Sequence, residues 1–156
     1  MLNNNDHHIA ITHSPSASEA FEQMYIAVRD KEGRLYTDAQ VAHLPDIDAD
    51  HRYYKEWKTR KFAAVQLITF LEKQKRPLKI LEIGCGNGWL SAKLANLPQA
   101  RVTGIDANWA AVEQAHRFFN KKNLTFNYTP FNSILFGTTQ TFDVIIFAPS
   151  IHFFPS

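Results

Sequence analysis

Residues 80–88 read ILEIGCGNG, and this stretch decides the predicted fold. Residues 79–83 form a short, mostly apolar run with the length of a strand. Glycines then occupy every second position from 84 to 88, and the absence of a Cβ lets the backbone turn tightly there. Apolar residues recur at helical spacing over 89–96. The stretch therefore predicts a strand, a glycine turn and a helix in that order.

Strands and helices continue to alternate after this stretch. The pattern predicts strands at 101–106, 124–128 and 142–148, and a helix at 109–122. Alternation of this kind is typical of a parallel sheet built from right-handed crossovers. The continuous apolar run VIIF at 144–147 is typical of a strand buried on both faces of such a sheet. We therefore expect an α/β fold with a Rossmann-like, mostly parallel sheet of about four strands.

Helices are predicted before the sheet. Residues 18–29 and 50–75 show helical periodicity, and residues 36–47 indicate a short helical turn followed by a loop. The apolar positions of the first helix are Phe21, Met24, Tyr25 and Val28, and those of the long helix are Trp57, Ala64, Leu67, Ile68 and Leu71. The basic residues of the long helix are Arg52, Lys55, Lys58, Arg60 and Lys61. We interpret them as its solvated face, and a site for a phosphate-bearing substrate is the alternative.

The composition is that of one globular domain. The chain has 156 residues, of which 45% are apolar and 21% charged, and its net charge is +2. A charge this small gives no signal for nucleic-acid binding, and no apolar run reaches the roughly 20 residues of a transmembrane helix. The single cysteine and the lack of a secretory signal predict a cytoplasmic protein. Residues 1–16 are predicted to be a flexible N-terminal segment and residues 17–156 the folded domain.

The glycine spacing separates two kinds of nucleotide-derived cofactor. Dinucleotide folds use the pattern G-x-G-x-x-G, in which the third glycine lets the helix approach the sheet beneath the pyrophosphate. Trp89 occupies the position that would need this glycine, and an indole there obstructs the approach. The sequence contains no Walker-type Gly-Lys-Ser/Thr cradle for phosphate either. Nicotinamide and flavin cofactors are therefore disfavoured.

An acid followed by glycines at every second position, EIGCGNG at 82–88, resembles motif I of the class I S-adenosylmethionine-dependent methyltransferases. The resemblance covers residues 53–154. It implies that Glu82 faces the methionine ammonium of the cofactor or orients the turn, and that Asp106 accepts hydrogen bonds from both ribose hydroxyls. The cofactor-binding residues that it implies are Glu82, Gly84, Cys85, Gly86, Gly88, Asp106, Ala107, Asn132 and Ala148. It implies no metal ion.

Three of these positions have alternative interpretations. Asp106 is also in a position to cap the helix that begins near Trp109. Cys85 lies inside the glycine turn, and we interpret it as a small space-filling residue rather than a nucleophile. Trp89 either stacks against the cofactor or anchors its helix in the core, and the sequence does not choose between the two.

The resemblance is weaker towards the end of the chain. Asn132 lies nearest to the place where the family offers an acid to the adenine amine, and its amide oxygen is able to accept the same hydrogen bond. Residues 148–154 follow the fourth strand, where the family carries substrate-facing residues. His152 is a candidate general base for a substrate hydroxyl or amine, and simple packing beside Phe153 and Phe154 is the alternative. The catalytic residues are otherwise unknown.

The resemblance implies an enzyme that transfers the methyl group of S-adenosylmethionine, with a small molecule expected as the acceptor. The N-terminal helices resemble the cap that many small-molecule methyltransferases place over the cofactor. Family members continue through further strands, so we expect this chain to be truncated after its fourth strand. The alternative is a non-catalytic or truncated module that keeps the cofactor site. An unpaired edge on the fourth strand would favour a homo-oligomer formed by pairing with a second copy.

Overall fold

The computed structural model describes residues 17–130 and 140–147. Helices and strands follow one another there in this order: α1 (Ala17–Lys31), α2 (Asp38–His43), α3 (Tyr54–Glu72), β1 (Leu78–Ile83), α4 (Trp89–Leu94), β2 (Ala100–Asp106), α5 (Trp109–Phe118), β3 (Leu124–Tyr128) and β4 (Val144–Phe147). The predicted alternation of strands and helices after α3 is confirmed. None of the helices in the described ranges combines the length and the apolar character that crossing a membrane requires.

The described strands form one parallel sheet in the order β3-β2-β1-β4. β1 pairs with β2 from Leu78 opposite Ala100 to Ile83 opposite Ile105. β4 pairs with the other side of β1, so the strand order reverses next to β1. In open parallel sheets, ligands bind beyond the carboxyl ends of the strands at such a reversal. The topology therefore places the expected ligand site beyond Ile83, directly after which the glycine turn begins.

The main core lies between helices and one face of the sheet. Ile80, Val102 and Phe126 point to this face from the three strands β1, β2 and β3. The helical residues buried with them are Ala64 and Leu71 of α3, Leu90, Ala92 and Leu94 of α4, and Val112 and Ala115 of α5. Alternation along the strands brings Glu82 of β1 and Gly104 of β2 to the same face, where they are register partners.

The apolar face predicted for α1 is wrong in part. Met24 is 60% exposed and Val28 is 48% exposed, whereas Glu22 is buried and Tyr25 is partly buried. The helix is therefore turned so that polar and aromatic side chains face inwards. The physical reason is that α1 lies over the cavity at the strand ends and not over the main core, so apolar spacing does not identify its inner face.

The prediction that the β4 run is buried on both faces is also wrong. Val144 and Ile146 pack against the main core, but Ile145 is 55% exposed and Phe147 is 45% exposed. Among the described residues β4 is an edge strand, and the core helices cover the face that takes Val144 and Ile146. A continuous apolar run indicates a strand buried on both faces only where other elements cover both faces of the sheet.

The predicted boundaries of two helices are too wide. α3 begins at Tyr54 and not at residue 50, because the preceding residues form a turn in which the Tyr53 N–H donates to His51 Nδ1. α5 ends at Phe118, which leaves a short connection to β3. The strand β3 itself occupies Leu124–Tyr128, as predicted.

Candidate functional site

A cavity of about 640 Å³ opens at the carboxyl ends of the strands. Its floor consists of the turn at 82–87 and of Asp106, which ends β2. Helices α1 and α3 and the beginning of α5 form its walls, and Ile146 and Phe147 of β4 close one side. The cavity lies where the strand order reverses, which is the usual position of a ligand in this type of sheet.

Hydrogen bonds fix the glycine turn to β2. The N–H groups of Gly84 and Cys85 both donate to the carbonyl oxygen of Ile105, over 2.8 and 3.0 Å. The Gly86 N–H donates to Asp106 Oδ2 over 2.6 Å. The turn and the end of β2 therefore form one rigid unit, and both parts of the predicted cofactor motif face the same cavity.

Gly86 and Gly88 are glycines for different reasons. Both have positive φ angles, +53° and +77°. A Cβ at Gly86 would meet no atom within 4 Å, and the residue lines the cavity. A Cβ at Gly88 would lie 2.5 Å from Phe126 Cζ and 2.9 Å from Ala115 Cβ, inside the core. Gly86 thus leaves room in the cavity, whereas Gly88 lets α4 approach the sheet and lies outside the cavity lining.

Asp106 is held in one orientation beneath the cavity. Its Oδ2 accepts from Gly86 N–H, and its Oδ1 accepts from Asn108 N–H over 2.8 Å. Burial raises the pKa of Asp106, and the hydrogen bonds from the backbone of Asn108, Gly86 and Ala107 oppose that rise. Each carboxylate oxygen can accept a further hydrogen bond, so the two oxygens are able to take a pair of neighbouring hydroxyl groups. Ala107 lines the cavity beside it.

The N-cap of α5 is Asn108 rather than Asp106. Asn108 Oδ1 accepts from the Ala111 N–H over 3.1 Å, which satisfies one of the free amide groups at the start of the helix. Asp106 supports this cap only indirectly, through its bond to the Asn108 amide. Capping therefore does not occupy the Asp106 carboxylate.

Glu82 is buried beside the cavity and is bonded to α4. It is 1% exposed, and its Oε2 accepts from Ser91 Oγ over 2.5 Å. Burial raises the pKa of Glu82 to about 8, and the hydrogen bond from Ser91 opposes that rise. A Cβ at Gly104 would lie 2.8 Å from Ser91 Oγ. The absence of a side chain at Gly104 therefore leaves the space in which Glu82 and Ser91 form their hydrogen bond.

Cys85 lies at the edge between the cavity and the core. It is 4% exposed, and its Sγ is 3.7 Å from the Gly86 carbonyl oxygen. Burial raises the pKa of the thiol well above its usual range, so the group is uncharged at neutral pH. This environment favours the interpretation of Cys85 as a packing residue. In residues 17–130 and 140–147 there is no cluster of three His, Cys, Asp or Glu residues suited to a metal ion.

Trp89 anchors its helix and also lines the cavity. Its ring lies edge-to-face against Trp57 of α3, with the ring centroids 5.3 Å apart. Trp57 is 2% exposed, and its Nε1 donates to Tyr36 Oη over 2.7 Å. The indole of Trp89 therefore joins α4 to the helical cap, while Gly88 provides the close approach to the sheet.

The interpretation of Arg60 as part of a solvated face is wrong. Its side chain is 23% exposed, and the guanidinium lies 4.9 Å from the Trp57 ring centroid, facing the cavity. Lys55, Lys58 and Lys61 are exposed, as expected. Arg60 follows Trp57 by three residues, so the two share one side of the helix. That spacing relative to a buried tryptophan is the signal that identifies Arg60 in the sequence.

Several predicted residues lie outside the described part of the chain. Asn132, Ala148 and His152 belong to this group, as does the segment 1–16. The predictions for them remain predictions. Conversely, four residues at the site were not predicted to be functional. They are Ser91, Gly104 and the cap residues Tyr25 and Arg29. Ser91 and Gly104 belong to no pattern that indicates a ligand, and only the folded register brings them to Glu82.

Comparison with known proteins gives a consistent result. Residues 80–156 match the family described as Methyltransferase domain. The ribosomal RNA small subunit methyltransferase C of Buchnera aphidicola subsp. Baizongia pistaciae is 36% identical over 87 residues, which cover 55% of this chain and 27% of that protein. The ubiquinone biosynthesis O-methyltransferase of Pelagibacter ubique is 34% identical over 95 residues, which cover 61% of this chain and 38% of that protein.

A solved structure is similar over a larger part of the chain. The plantazolicin methyltransferase BpumL, in complex with a triazolic desmethylPZN analog and SAH, is 26% identical with a TM-score of 0.51. The match covers 82% of this chain and 45% of that one. The chain thus spans 27% and 38% of the two curated relatives and less than half of this structure.

The parallel sheet, the glycine turn joined to Asp106 and the family match define the class of protein. The chain belongs to the class I S-adenosylmethionine-dependent methyltransferase family. The fold and the cofactor class that motif I implied are confirmed at this level.

Proposed function

We propose that this chain binds S-adenosylmethionine in the 640 Å³ cavity, and that the protein to which it belongs transfers the methyl group to a small-molecule acceptor. The observation that carries the proposal is the joint orientation of the glycine turn and Asp106. The Gly86 N–H holds the Asp106 carboxylate over 2.6 Å, and both groups face one cavity.

The residues of the cavity fit the parts of this cofactor. The partly buried Asp106 carboxylate, with a free acceptor position on each oxygen, suits the vicinal ribose hydroxyls. The missing Cβ at Gly86 leaves space for the ligand directly above the turn. Glu82 lines the same cavity and is able to attract the cofactor ammonium once it loses its proton. Asn132, proposed for the adenine amine, and Ala148 complete the proposed set of cofactor-binding residues.

The acceptor is proposed to be small because helices enclose the cavity. Aromatic side chains of the cap line it, including those of Tyr25, Tyr36 and Trp57. Sites for small molecules measure roughly 300–1,000 Å³ and are lined mainly by apolar and aromatic groups. The Pelagibacter relative, named for ubiquinone biosynthesis, supports an acceptor of this size. The Buchnera relative is named for ribosomal RNA. RNA is therefore the alternative acceptor class that an experiment has to distinguish from a small molecule.

The protein's part in the transfer is positioning and electrostatics. The sulfonium of the bound cofactor supplies an activated methyl group. The turn, Asp106 and the cap hold the donor in one orientation, so that an acceptor in the same cavity can attack the methyl group in line. They also exclude water from the cavity. His152 remains the candidate base for removing a proton from the acceptor.

Titration calorimetry of the full chain with S-adenosylhomocysteine tests the binding. We expect saturable binding by the wild type and a loss of roughly tenfold to a hundredfold in affinity for Asp106→Asn, because the amide offers one acceptor oxygen instead of two. Asp46→Asn is the matched control, since Asp46 lies outside this cavity and pairs with Lys61. Absence of heat from the folded wild type would refute the proposal.

A second candidate function is a binding module without transferase activity. The observation that favours it is that the described residues of the cavity are assigned to the cofactor, and none of them to the chemistry of an acceptor. The two candidates bind S-adenosylhomocysteine equally well but differ in turnover. Transfer of a labelled methyl group to small phenols, acids or RNA supports the enzyme, whereas binding without transfer to any of them supports the module.

A further inference from the structure

Ser91 is buried behind Glu82 and does not itself reach the cavity. Its side chain is 0% exposed and lies in the first turn of α4, which begins at Trp89. Among the described residues that line the cavity, Glu82 is present and Ser91 is not. Any influence of Ser91 on a ligand in the cavity therefore passes through Glu82.

Ser91 donates to the carboxyl group of Glu82 in two ways. Its hydroxyl Oγ donates to Glu82 Oε2 over 2.5 Å, and its backbone N–H is a second donor to the same carboxyl. The absence of a side chain at Gly104 keeps this space free, because a Cβ there would lie 2.8 Å from Ser91 Oγ. A buried group whose hydrogen bonds are satisfied in this way is held rigidly. The contact therefore fixes the orientation of the Glu82 carboxyl at the wall of the cavity.

Glu82 has no cationic partner in the described part of the chain, where every ion pair involves another carboxylate. The ionisable groups next to it are Cys85 in the turn and Asp106 on β2, and the charge of Asp106 raises the pKa of Glu82. The other ionisable residues of the cavity lining lie on the cap and on α5, and they are Glu22, Tyr25, Arg29, Arg34, Tyr36, Arg60 and Arg117. Burial without a cationic partner disfavours the charged form of a carboxyl group.

The protonation state of Glu82 decides what it offers to a ligand. A protonated carboxyl presents an O–H donor, whereas the ionised form presents only acceptors, which an ammonium group requires. Burial raises the pKa of Glu82 to about 8, so about a tenth of the molecules carry the ionised form at pH 7. The hydrogen bonds from Ser91 oppose that rise because they favour the ionised form. An ammonium group can therefore pair with Glu82 only after the proton has left.

We propose that Ser91 is a positioning residue for the cofactor ammonium, which it serves by orienting Glu82 and favouring its ionised form, and that cofactor binding releases the Glu82 proton to the solvent. The inference rests on the proposed cofactor site. The ammonium supplies the positive charge that no described side chain supplies to Glu82. The affinity for the cofactor therefore depends on pH, and Ser91 sets the pH range in which the site binds it.

Titration calorimetry of the full chain with two ligands tests the proton release. S-adenosylhomocysteine carries the ammonium, and 5′-methylthioadenosine keeps the adenine, ribose and sulfur but lacks the amino-acid end. The affinity for S-adenosylhomocysteine should rise roughly fiftyfold from pH 6 to pH 8, in step with the ionised fraction of Glu82, and that for methylthioadenosine should change much less. Titrations at pH 7 in phosphate and in Tris, whose ionisation enthalpies differ, should show that S-adenosylhomocysteine releases about one proton.

Variants separate a positioning role of Ser91 from a packing role. Ser91→Ala removes the hydroxyl donor, so S-adenosylhomocysteine should bind roughly tenfold more weakly at pH 7 with a pH profile moved upwards, while methylthioadenosine binding is unchanged. Glu82→Gln should release no proton, and Ser91→Ala in that background should alter neither ligand. Ser91→Cys keeps the volume with a weaker donor and decides the question if Ser91→Ala does not fold. Thr59→Ala is the matched control, because its hydroxyl donates within α3 to the Lys55 carbonyl oxygen.

The inference and the proposed function fail in different ways. Binding of S-adenosylhomocysteine by the wild type with a constant affinity from pH 6 to pH 8 and no proton release would overturn the inference and leave the cofactor site in place. An equal loss of both ligands at every pH in Ser91→Ala and Ser91→Cys would reduce Ser91 to a packing residue. Binding of neither nucleoside by the folded wild type would refute the proposed function and the inference together.

Discussion

Ser91 Oγ and Glu82 Oε2 are 2.5 Å apart, and the two side chains are 0% and 1% exposed. The contact ties the end of β1 to the first turn of α4 across the glycine turn. Burial raises the pKa of Glu82 to about 8, so the carboxyl is mainly protonated at neutral pH in the folded chain without ligand. The residue that the sequence associates with cofactor binding therefore also makes the stability of this unit sensitive to pH.

The first prediction concerns Glu82→Gln and pH. In the unfolded chain the carboxyl loses its proton near pH 4.5, whereas the folded chain keeps it until about pH 8. Between these values the folded state binds more protons, so the free energy of unfolding falls as the pH rises, by a few kcal/mol at about 1.4 kcal/mol per pKa unit. Glu82→Gln cannot titrate and should lack this part of the decline. Urea unfolding from pH 5 to 8.5 measures both proteins.

The difference between the two pH profiles isolates Glu82. Asp106 also has a raised pKa and is present in both proteins, so its contribution cancels. We expect the variant to gain stability relative to the wild type with each step of rising pH. Parallel profiles over the whole range would contradict the assignment of a raised pKa to Glu82.

The second prediction is that Gly104→Ala destabilises the fold by about 1–3 kcal/mol, the usual cost of overpacking a core. The new methyl group would lie 2.8 Å from Ser91 Oγ and 2.9 Å from Phe126 Cδ1. Ser91→Ala removes the first of these neighbours. Combining the two substitutions should therefore cost less than the sum of the single effects, as a double-mutant cycle by urea unfolding would show. Strict additivity would mean that the residues do not share this space.

The third prediction separates two glycines of one motif. Gly88→Ala places a Cβ 2.5 Å from Phe126 Cζ and should lower the unfolding free energy strongly. Gly86→Ala meets no neighbour within 4 Å, so its cost in stability should be limited to the strain of a positive φ, about 1 kcal/mol. Its methyl group would enter the ligand space, and S-adenosylhomocysteine affinity should fall. Equal effects of both variants on stability and on binding would refute this division.

The sequence predicted the sheet and the floor of the site because local patterns determine both. Alternating strands and helices predicted the parallel topology, and the glycine spacing with Asp106 predicted which strand ends meet. The packing role of Gly88 could not be predicted from the sequence. Its neighbour Phe126 lies on β3, and only the packing of α4 over the sheet brings the two together.

The helical cap was predicted less well because some charged side chains lie on its inner face among apolar and aromatic ones. Hydrophobic periodicity assigns charged side chains to solvent, yet Arg60 faces the cavity and Glu22 is buried. Compensation explains both exceptions: Arg60 pairs with Glu56, and Glu22 accepts from Tyr128. Tyr128 lies on β3, so no pattern within α1 reveals the partner of Glu22, whereas Glu56 and Arg60 are four residues apart on α3 and form a pair that helical spacing can indicate.

The last prediction tests whether α1 closes over the cavity. Tyr128 Oη donates to Glu22 Oε2, and burial together with this bond raises the pKa of Tyr128 to about 12. Tyr128→Phe removes the donor and leaves a buried carboxylate with one hydrogen bond fewer, at a cost of about 1.5–3 kcal/mol. Local opening of α1 should therefore become roughly tenfold to a hundredfold more frequent.

Limited proteolysis detects this opening, because trypsin can cut after Arg29, Lys31 or Arg34 once α1 detaches. We expect faster cleavage there in Tyr128→Phe, and slower cleavage in both proteins when S-adenosylhomocysteine occupies the cavity beneath the helix. Tyr54→Phe is the matched control, since Tyr54 is a partly exposed tyrosine at the start of α3, outside the cavity lining. Cleavage at the wild-type rate in Tyr128→Phe would show that other contacts hold α1 in place.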